Sequence, residues 1–350
     1  MRFALGDEHR GFAGSLDGLL TEADIPATAR AWHAGRPEAG LELWRRLAGL
    51  GVTGLLVPEH AGGLGASPVD LVIAFEAIGR HAVPGPWVES AAYLPVLLAG
   101  IPSNDLDATL GGLAAGSHIG TLAAPPTTPL ALDADVATCI FLLDDNRLSL
   151  AEPGSLHHSV DPARRLFDVT PSGSLRAVPD AVVAAALDTA ALACAAQLLG
   201  LGEQLLAESV RYAGSRRQFG RAIGEFQALK HALADVRVSL DFARPLLHAA
   251  ALSLAGSAAG GPRQVAARDV SAAKVAAGNS AYRAARTALQ VHGAVGYTAE
   301  HSLGLWFTKV RALVGAWGTP ARHRARVLQQ VTAPAVEPAP PIEPVESGPG

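Results

Sequence analysis

Residues 212–227 read YAGSRRQFGRAIGEFQ, three arginines and several aromatics gathered round a glycine between two long apolar segments. Tyr212 and Arg216 stand four apart and so share a face if the first segment is helical. Gly220 is expected to end that helix, with a second helix starting near Ile223. A guanidinium fork beside a helix end suits a phosphate or pyrophosphate. The competing reading is a set of solvated surface arginines, the commoner fate of this side chain.

On the C-terminal side of this stretch the pattern is helical. Phe226, Leu229, Leu233, Val236, Leu240, Ala243 and Leu247 alternate steps of three and four, one apolar stripe. Residues 270–291 carry a stripe of small side chains, Ala273, Ala277, Ala284 and Ala288, which permits close helix approach. A last helix carries Leu303, Phe307, Val310 and Val314. Together with the alanine-rich run 181–201, read as a buried helix rather than a membrane span, these predict a four-helix bundle over residues 181–331. Residues 332–350, rich in Pro and Glu, are expected to be disordered.

On the N-terminal side, residues 1–116 also read as helical. Leu41, Trp44, Leu47 and Leu50 recur at three-residue steps before Gly51. The run VTGLLVPEHAGGLGAS imposes a loop, and Ser67 can cap a helix beginning at Pro68. Residues 117–180 change texture. Short apolar runs at 136–143 and 147–150 flank Asp144-Asp145-Asn146, a hairpin turn between strands.

The chain has 350 residues, 49% hydrophobic and 17% charged, enough to bury a large core. A formal net charge of −4 gives no reason to expect nucleic acid or an anionic membrane as a partner. Two cysteines, Cys139 and Cys194, without CxxC spacing, argue against a disulfide framework or a structural zinc. His157-His158 sits in an expected turn with no carboxylate cluster in sequence, so no metal site is expected. The N-terminal MRFALGDEHRGF has charges where an export signal needs an apolar run, and a cytoplasmic location is expected.

A second candidate element is ALQVHGAVGYTAEH, residues 288–301, where Gly293 and Gly296 let backbone approach a ligand and Gln290 offers an amide. A plain loop is the rival reading. His292 and His301 are read as structural residues beside a helix end rather than as bases.

With these pieces in place, the chain resembles the acyl-CoA dehydrogenase flavoproteins. The Tyr, Arg, Phe-Gly, Phe-Gln order of residues 212–227 carries the likeness. So does Gln-x-x-Gly at 290–293, with Ala294 where the family has a second glycine, and so do Pro58-Glu59, the glycines 62, 63 and 65, and Gly79-Arg80. The resemblance implies a mostly α fold with a small β-domain: an N-terminal helical domain over 1–116, a reduced β-barrel-like domain over 117–180 and the C-terminal bundle. It implies FAD, often a neighbouring subunit's, contacted by Arg216, Phe219, Gln227, Gln290 and Gly293, with Thr319 as a weaker addition. It also implies an acyl-CoA substrate and a tetramer with a second acyl-CoA dehydrogenase subunit.

The family's chemistry takes the acyl α-proton with a glutamate while the β-hydrogen leaves as hydride to flavin. That glutamate stands before a Gly-Thr pair, where this chain has Trp317, or near the start of the first bundle helix, where it has Ala190. The region LAAPPTTPLALD also departs from the family's flavin-ring segments. The resemblance therefore implies a subunit that works with a catalytic partner. The alternatives are another flavoenzyme on the same fold, an oxidase or monooxygenase, and a non-enzymatic helical scaffold.

Overall fold

The computed structural model describes residues 5–293 and 302–332. Three helices, α1 (Asp7–Glu22), α2 (Ile25–His33) and α3 (Glu38–Gly49), lead into the glycine-rich loop. The helix expected after that loop is α4 (Pro68–Arg80). Ser67 Oγ accepts from the Val69 amide at 3.2 Å while Asp70 Oδ2 accepts from the Ser67 amide at 3.0 Å, so the N-terminal donors are satisfied from both sides. Every residue of α4 from Leu71 to Gly79 is buried. A π-helical turn (Glu89–Tyr93) runs into α5 (Leu94–Ala99), and α6 (Asp107–Ala114) follows.

The middle of the chain is one sheet: β1 (Gly120–Ala123), β2 (Ala131–Leu132), β3 (Cys139–Asp144), β4 (Arg147–His157) and β5 (Leu166–Ala177). Its order is β1-β3-β4-β5-β2, with β1 parallel to β3 and the remaining pairs antiparallel. The two outer strands come together where Thr121 Oγ1 donates to Leu132 O at 2.7 Å, which curls the sheet toward a barrel. Asp145 and Asn146 both have positive φ, 44° and 55°, as the tight turn joining β3 to β4 requires. His157 corrects the sequence reading: it ends β4 rather than lying in a turn, and its Nε2 meets Asp168 Oδ1 on β5 at 2.6 Å.

The C-terminal part holds α7 (Asp180–Ser215), α8 (Gln227–Ala258), α9 (Arg263–His292), α10 (Leu303–Gly315) and α11 (Pro320–Thr332). By length and composition α7 passes for a membrane span. However, 72% of its apolar window is buried inside the protein, as in a core helix. Ala273, Ala277, Ala284 and Ala288 line the buried face of α9 as their spacing implies. The sequence reading named four helices; α11 is a fifth, set off from α10 by the Ala316–Thr319 turn.

Two further expectations change. First, α7 ends at Ser215, not at Gly220, because Arg216 already leaves helical conformation (φ −73°, ψ 125°). Gly220 (φ 82°) instead turns a small hairpin between β6 (Arg217–Gln218) and β7 (Arg221–Ala222). Second, burial along the α8 stripe begins at Val236; Phe226 precedes the helix as its cap, and Leu229 faces a cleft.

The N-terminal helices are held on the bundle at one close crossing. A Cβ on Gly79 would collide with Gln197 O, and one on Gly200 with Glu76 O, so α4 and α7 meet backbone to backbone there. Beside it, Arg244 on α8 donates to Glu76 Oε1 at 2.7 Å and to Glu203 Oε1 at 2.8 Å, tying α4, α7 and α8 together. The residues 294–301 and 333–350, which include Gly296 and His301 and most of the Pro-rich tail, lie outside the described residues.

Candidate functional site

The stretch around Arg216 forms one wall of a cleft of about 570 Å³. Because α7 stops at Ser215 and the hairpin swings outward, Arg216, Gln218 and Phe219 are carried to the lip. The start of α8 supplies Phe226, Leu229 and Ala232, and the last turn of α9 supplies Thr287, Gln290, Val291, His292 and Gly293. Four of the six residues implied by the resemblance thus line one cavity: Arg216, Phe219, Gln290 and Gly293.

The other two stand outside it. Gln227 is exposed at the start of α8, between the lining residues Phe226 and Ala228. Thr319 is exposed before α11, and its Oγ1 accepts from the Arg322 amide at 3.2 Å, a helix cap.

The lining suits a flat ring with an anionic appendage. Its floor is apolar, from Ile223, Leu229 and Val291, and its lip carries the Arg216 guanidinium and the Gln290 amide. Phe219 is 90% exposed at φ 52°, its ring edge-on to Phe226 at 6.2 Å between centroids. An aromatic held open in this way offers a face for a second ring. Arg221 lies over Phe226 at 4.1 Å. At the back, the Tyr212 and His292 rings lie 4.3 Å apart, and His292 Nδ1 is 2.8 Å from Ala288 O. Gly293 has φ 57° and ψ −138°, a conformation that side chains resist, and nothing crowds its missing Cβ.

A second locus is the Ala316–Thr319 turn. Trp317 is 3% exposed, sits at φ 56°, and its indole lies 5.0 Å from the Tyr93 ring. A left-handed tryptophan is strained by about 1 kcal/mol or more and persists only where its surroundings hold it. Here they do. Lys274 Nζ donates to Leu313 O (3.0 Å) and Val314 O (3.2 Å), and Cys194 Sγ to Leu313 O (3.4 Å), closing the orphan carbonyls at the end of α10.

His323 completes the clamp, with Nε2 3.1 Å from Trp317 O and Nδ1 3.1 Å from Ser271 Oγ. A carbonyl can only accept, so Nε2 bears the proton and Nδ1 accepts from the serine hydroxyl. This is the neutral imidazole. Burial and the nearby Lys274 charge push its pKa down to about 4. Gly318 (φ 108°) leaves no room for a Cβ beside His323.

Glu89, 2% exposed on the turn that carries Tyr93, has its carboxyl pushed up by burial, with Arg164 and Lys309 opposing. Burial likewise raises the Tyr93 phenol. Ala190 is fully buried within α7.

The comparisons with known proteins agree over most of the chain. The acyl-CoA dehydrogenase C-terminal domain pattern matches residues 181–332, and the N-terminal domain pattern matches residues 6–103. The acyl-CoA dehydrogenase IpdE2 of Mycobacterium tuberculosis is 33% identical over 93% of this chain and 98% of its own length. This chain belongs to the acyl-CoA dehydrogenase family.

Solved structures of this fold include butyryl-CoA dehydrogenase from Megasphaera elsdenii, with a TM-score of 0.80 at 18% identity over 95% of this chain and 100% of that one. They also include the ChsE4-ChsE5 complex from Mycobacterium tuberculosis, with a TM-score of 0.79 at 22% identity over 96% and 100%. The cofactor of the family is FAD. The donor set of the cleft fits the adenosine diphosphate half of that molecule, with an apolar floor for the ring and Arg216 and Gln290 at the lip for the phosphates.

Residue spacing alone missed Ile223, Thr287 and Val291 as lining residues. Thr287 could have been found one turn before Gln290 on the same helix face. Cys194, Lys274 and His323 were missed as the support of Trp317; the only local signal was a lysine set among the small residues of α9.

Proposed function

We propose that this chain is one subunit of an FAD-dependent acyl-CoA dehydrogenase complex and that a second, glutamate-bearing subunit supplies the base for α,β-dehydrogenation of an acyl-CoA thioester. When bound, FAD supplies the acceptor for the β-hydride. Arg216, Gln290 and the Gly293 backbone hold the adenosine diphosphate side of the cofactor, and Phe219 presents a ring to it.

The observation that carries this reading is Trp317. At the position where the family resemblance expects a carboxylate there is an indole, which accepts no proton. It is buried on Tyr93, and the turn that carries it is held by Lys274 and Cys194 at the Leu313 and Val314 carbonyls and by His323 at the Trp317 carbonyl. A turn whose backbone carbonyls are held by three buried polar groups is a built feature, and the bulk of its indole fills space an acyl chain needs. The alternative base position, Ala190, has no titratable group. Glu89 stands at neither of the two positions where the resemblance places the base.

The test is a visible absorption spectrum of the purified chain, alone and after co-expression with a glutamate-bearing acyl-CoA dehydrogenase. Colourless protein alone, turning yellow and active with the partner, is the expected result. A yellow chain that an acyl-CoA bleaches without any partner would overturn the shared site.

A further inference from the structure

The arginines at the cleft are set apart by their grouping. Elsewhere among the described residues some arginines, such as Arg80, Arg165, Arg237 and Arg244, meet a carboxylate, and others, such as Arg30, Arg147 and Arg311, stand singly without one. Among the described residues, Arg216, Arg217, Arg221, Arg283 and Arg286 form no ion pair, and the first three stand in one turn while the last two stand on the neighbouring stretch of α9. The one carboxylate in that turn, Glu225, is occupied by the Ala222 amide at 3.3 Å. Five cations with no ion pair among the described residues, on an otherwise slightly acidic chain, make a local anion trap.

Arg283 and Arg286 are not scattered at random over that end. With Gln290 they follow steps of three and four, one face of α9, spanning about 10 Å along the axis. They line an open groove of about 830 Å³ with Asn279, Tyr282 and Leu289. That groove shares Thr287 and Gln290 with the cleft, so the two cavities are contiguous. The cleft has an apolar floor and the groove beyond it is cationic.

We propose that Arg283 and Arg286 clamp the diphosphate of an adenine nucleotide whose ring lies in the cleft, the phosphates leaving over Gln290 toward the groove. This rests on the reading of the cleft given above and adds residues to it. Two guanidinium forks in series bind phosphate oxygens by charge-assisted hydrogen bonds, and the exposed position of both side chains leaves their donors available. Adenosine diphosphate is common to FAD and to coenzyme A, so the clamp is defined by that group and its carrier by experiment.

The experiment is calorimetric titration of the full-length chain with ADP and, separately, with adenosine, for the wild type, Arg216→Ala and the double variant Arg283→Ala/Arg286→Ala. Both α9 arginines are exposed, so an unchanged circular dichroism spectrum is expected for the double variant. The double variant should bind ADP at least roughly tenfold more weakly, bind adenosine as the wild type does, and show a shallower salt dependence. An Arg283→Lys/Arg286→Lys variant should recover part of the ADP affinity, because charge returns without the fork. Displacement of bound ADP by FAD or by coenzyme A supports the clamp and identifies which carrier uses it.

If the double variant binds ADP as tightly as the wild type while Arg216→Ala does not, the clamp is wrong and the cleft reading stands. If neither the wild type nor its complex with the partner subunit binds ADP, both fall. If the double variant keeps ADP but no longer assembles with a partner subunit, the arginines serve a protein surface and the clamp is overturned.

Discussion

The cleft beside Arg216 and the turn at Trp317 are made from the same two helices and treated in opposite ways. Along α7, Cys194 serves the turn and Tyr212 the cleft; along α9, Lys274 serves the turn and Gln290 the cleft. In each case the separation is about 25 Å along the helix. At the turn Lys274, Cys194 and His323 each give a donor to a carbonyl and an indole fills the interior. At the cleft the arginines meet no carboxylate and a phenyl ring stands open. One end is completed by the chain itself, and on the proposed reading the other is completed by something the chain binds. In a family whose members hold FAD, that division is the one expected of a subunit that keeps its cofactor contacts and has closed its acyl pocket.

The sharpest way to break this comparison is to exchange the two properties. Trp317→Ala removes a fully packed indole and should destabilise the chain by about 3–5 kcal/mol in urea unfolding. Trp317→Gly should lose about 1 kcal/mol less, since glycine tolerates φ 56°. Arg216→Ala is exposed and should change stability by less than about 0.5 kcal/mol. For flavin content of the complex the order reverses: Arg216→Ala should lower retention about tenfold or more through a lost charged hydrogen bond, while Trp317→Ala complexes stay loaded. Equal flavin content in both variants would remove the contrast.

Much of this arrangement was legible in residue order, and the exceptions have specific causes. Ser67 before Pro68 and the Asp145-Asn146 pair announce a cap and a turn because few residues satisfy those backbone demands. The buried stripe Val236, Leu240, Ala243 and Leu247 follows from the helical period. The same period could not say that Phe226 and Leu229 face a ligand cleft, because periodicity identifies an apolar face and not what covers it. Gly220 was misplaced for a related reason: positive φ serves a helix end and a hairpin equally well, and only the tertiary path chooses. Much of the support of the Trp317 turn comes from Lys274 and Cys194, 43 and 123 positions before it, contacts that local pattern does not encode.

His323 offers a smaller but independent probe of the closed end. Its folded pKa of about 4 lies below the ordinary histidine value near 6.5, so the unfolded chain binds the proton more readily. The stability it contributes is therefore present above about pH 6.5 and is lost as pH falls toward 4. Unfolding free energy measured by urea should drop by about 2 kcal/mol between pH 7 and pH 5 from this residue. A His323→Gln variant should show a correspondingly flatter profile over that window. An unchanged slope would mean that protonation is accommodated and that the neutral clamp on Trp317 O is not what holds the turn.

The smallest expected effect decides where the open end stops. Family resemblance implies Thr319 as a cofactor contact, whereas its Oγ1 is engaged with the Arg322 amide at the start of α11 and the residue is outside the cleft lining. If capping is its role, Thr319→Ala should cost about 1 kcal/mol of stability with no change in ADP affinity of the chain, and Thr319→Ser should restore most of the loss. Serine restores the cap because it keeps the accepting oxygen. A weaker ADP affinity in Thr319→Ala, with stability unchanged, would extend the ligand surface from the cleft to the turn and merge the two regions. The cap hydrogen bond predicts the opposite, because its oxygen is already committed to the backbone of the helix it begins.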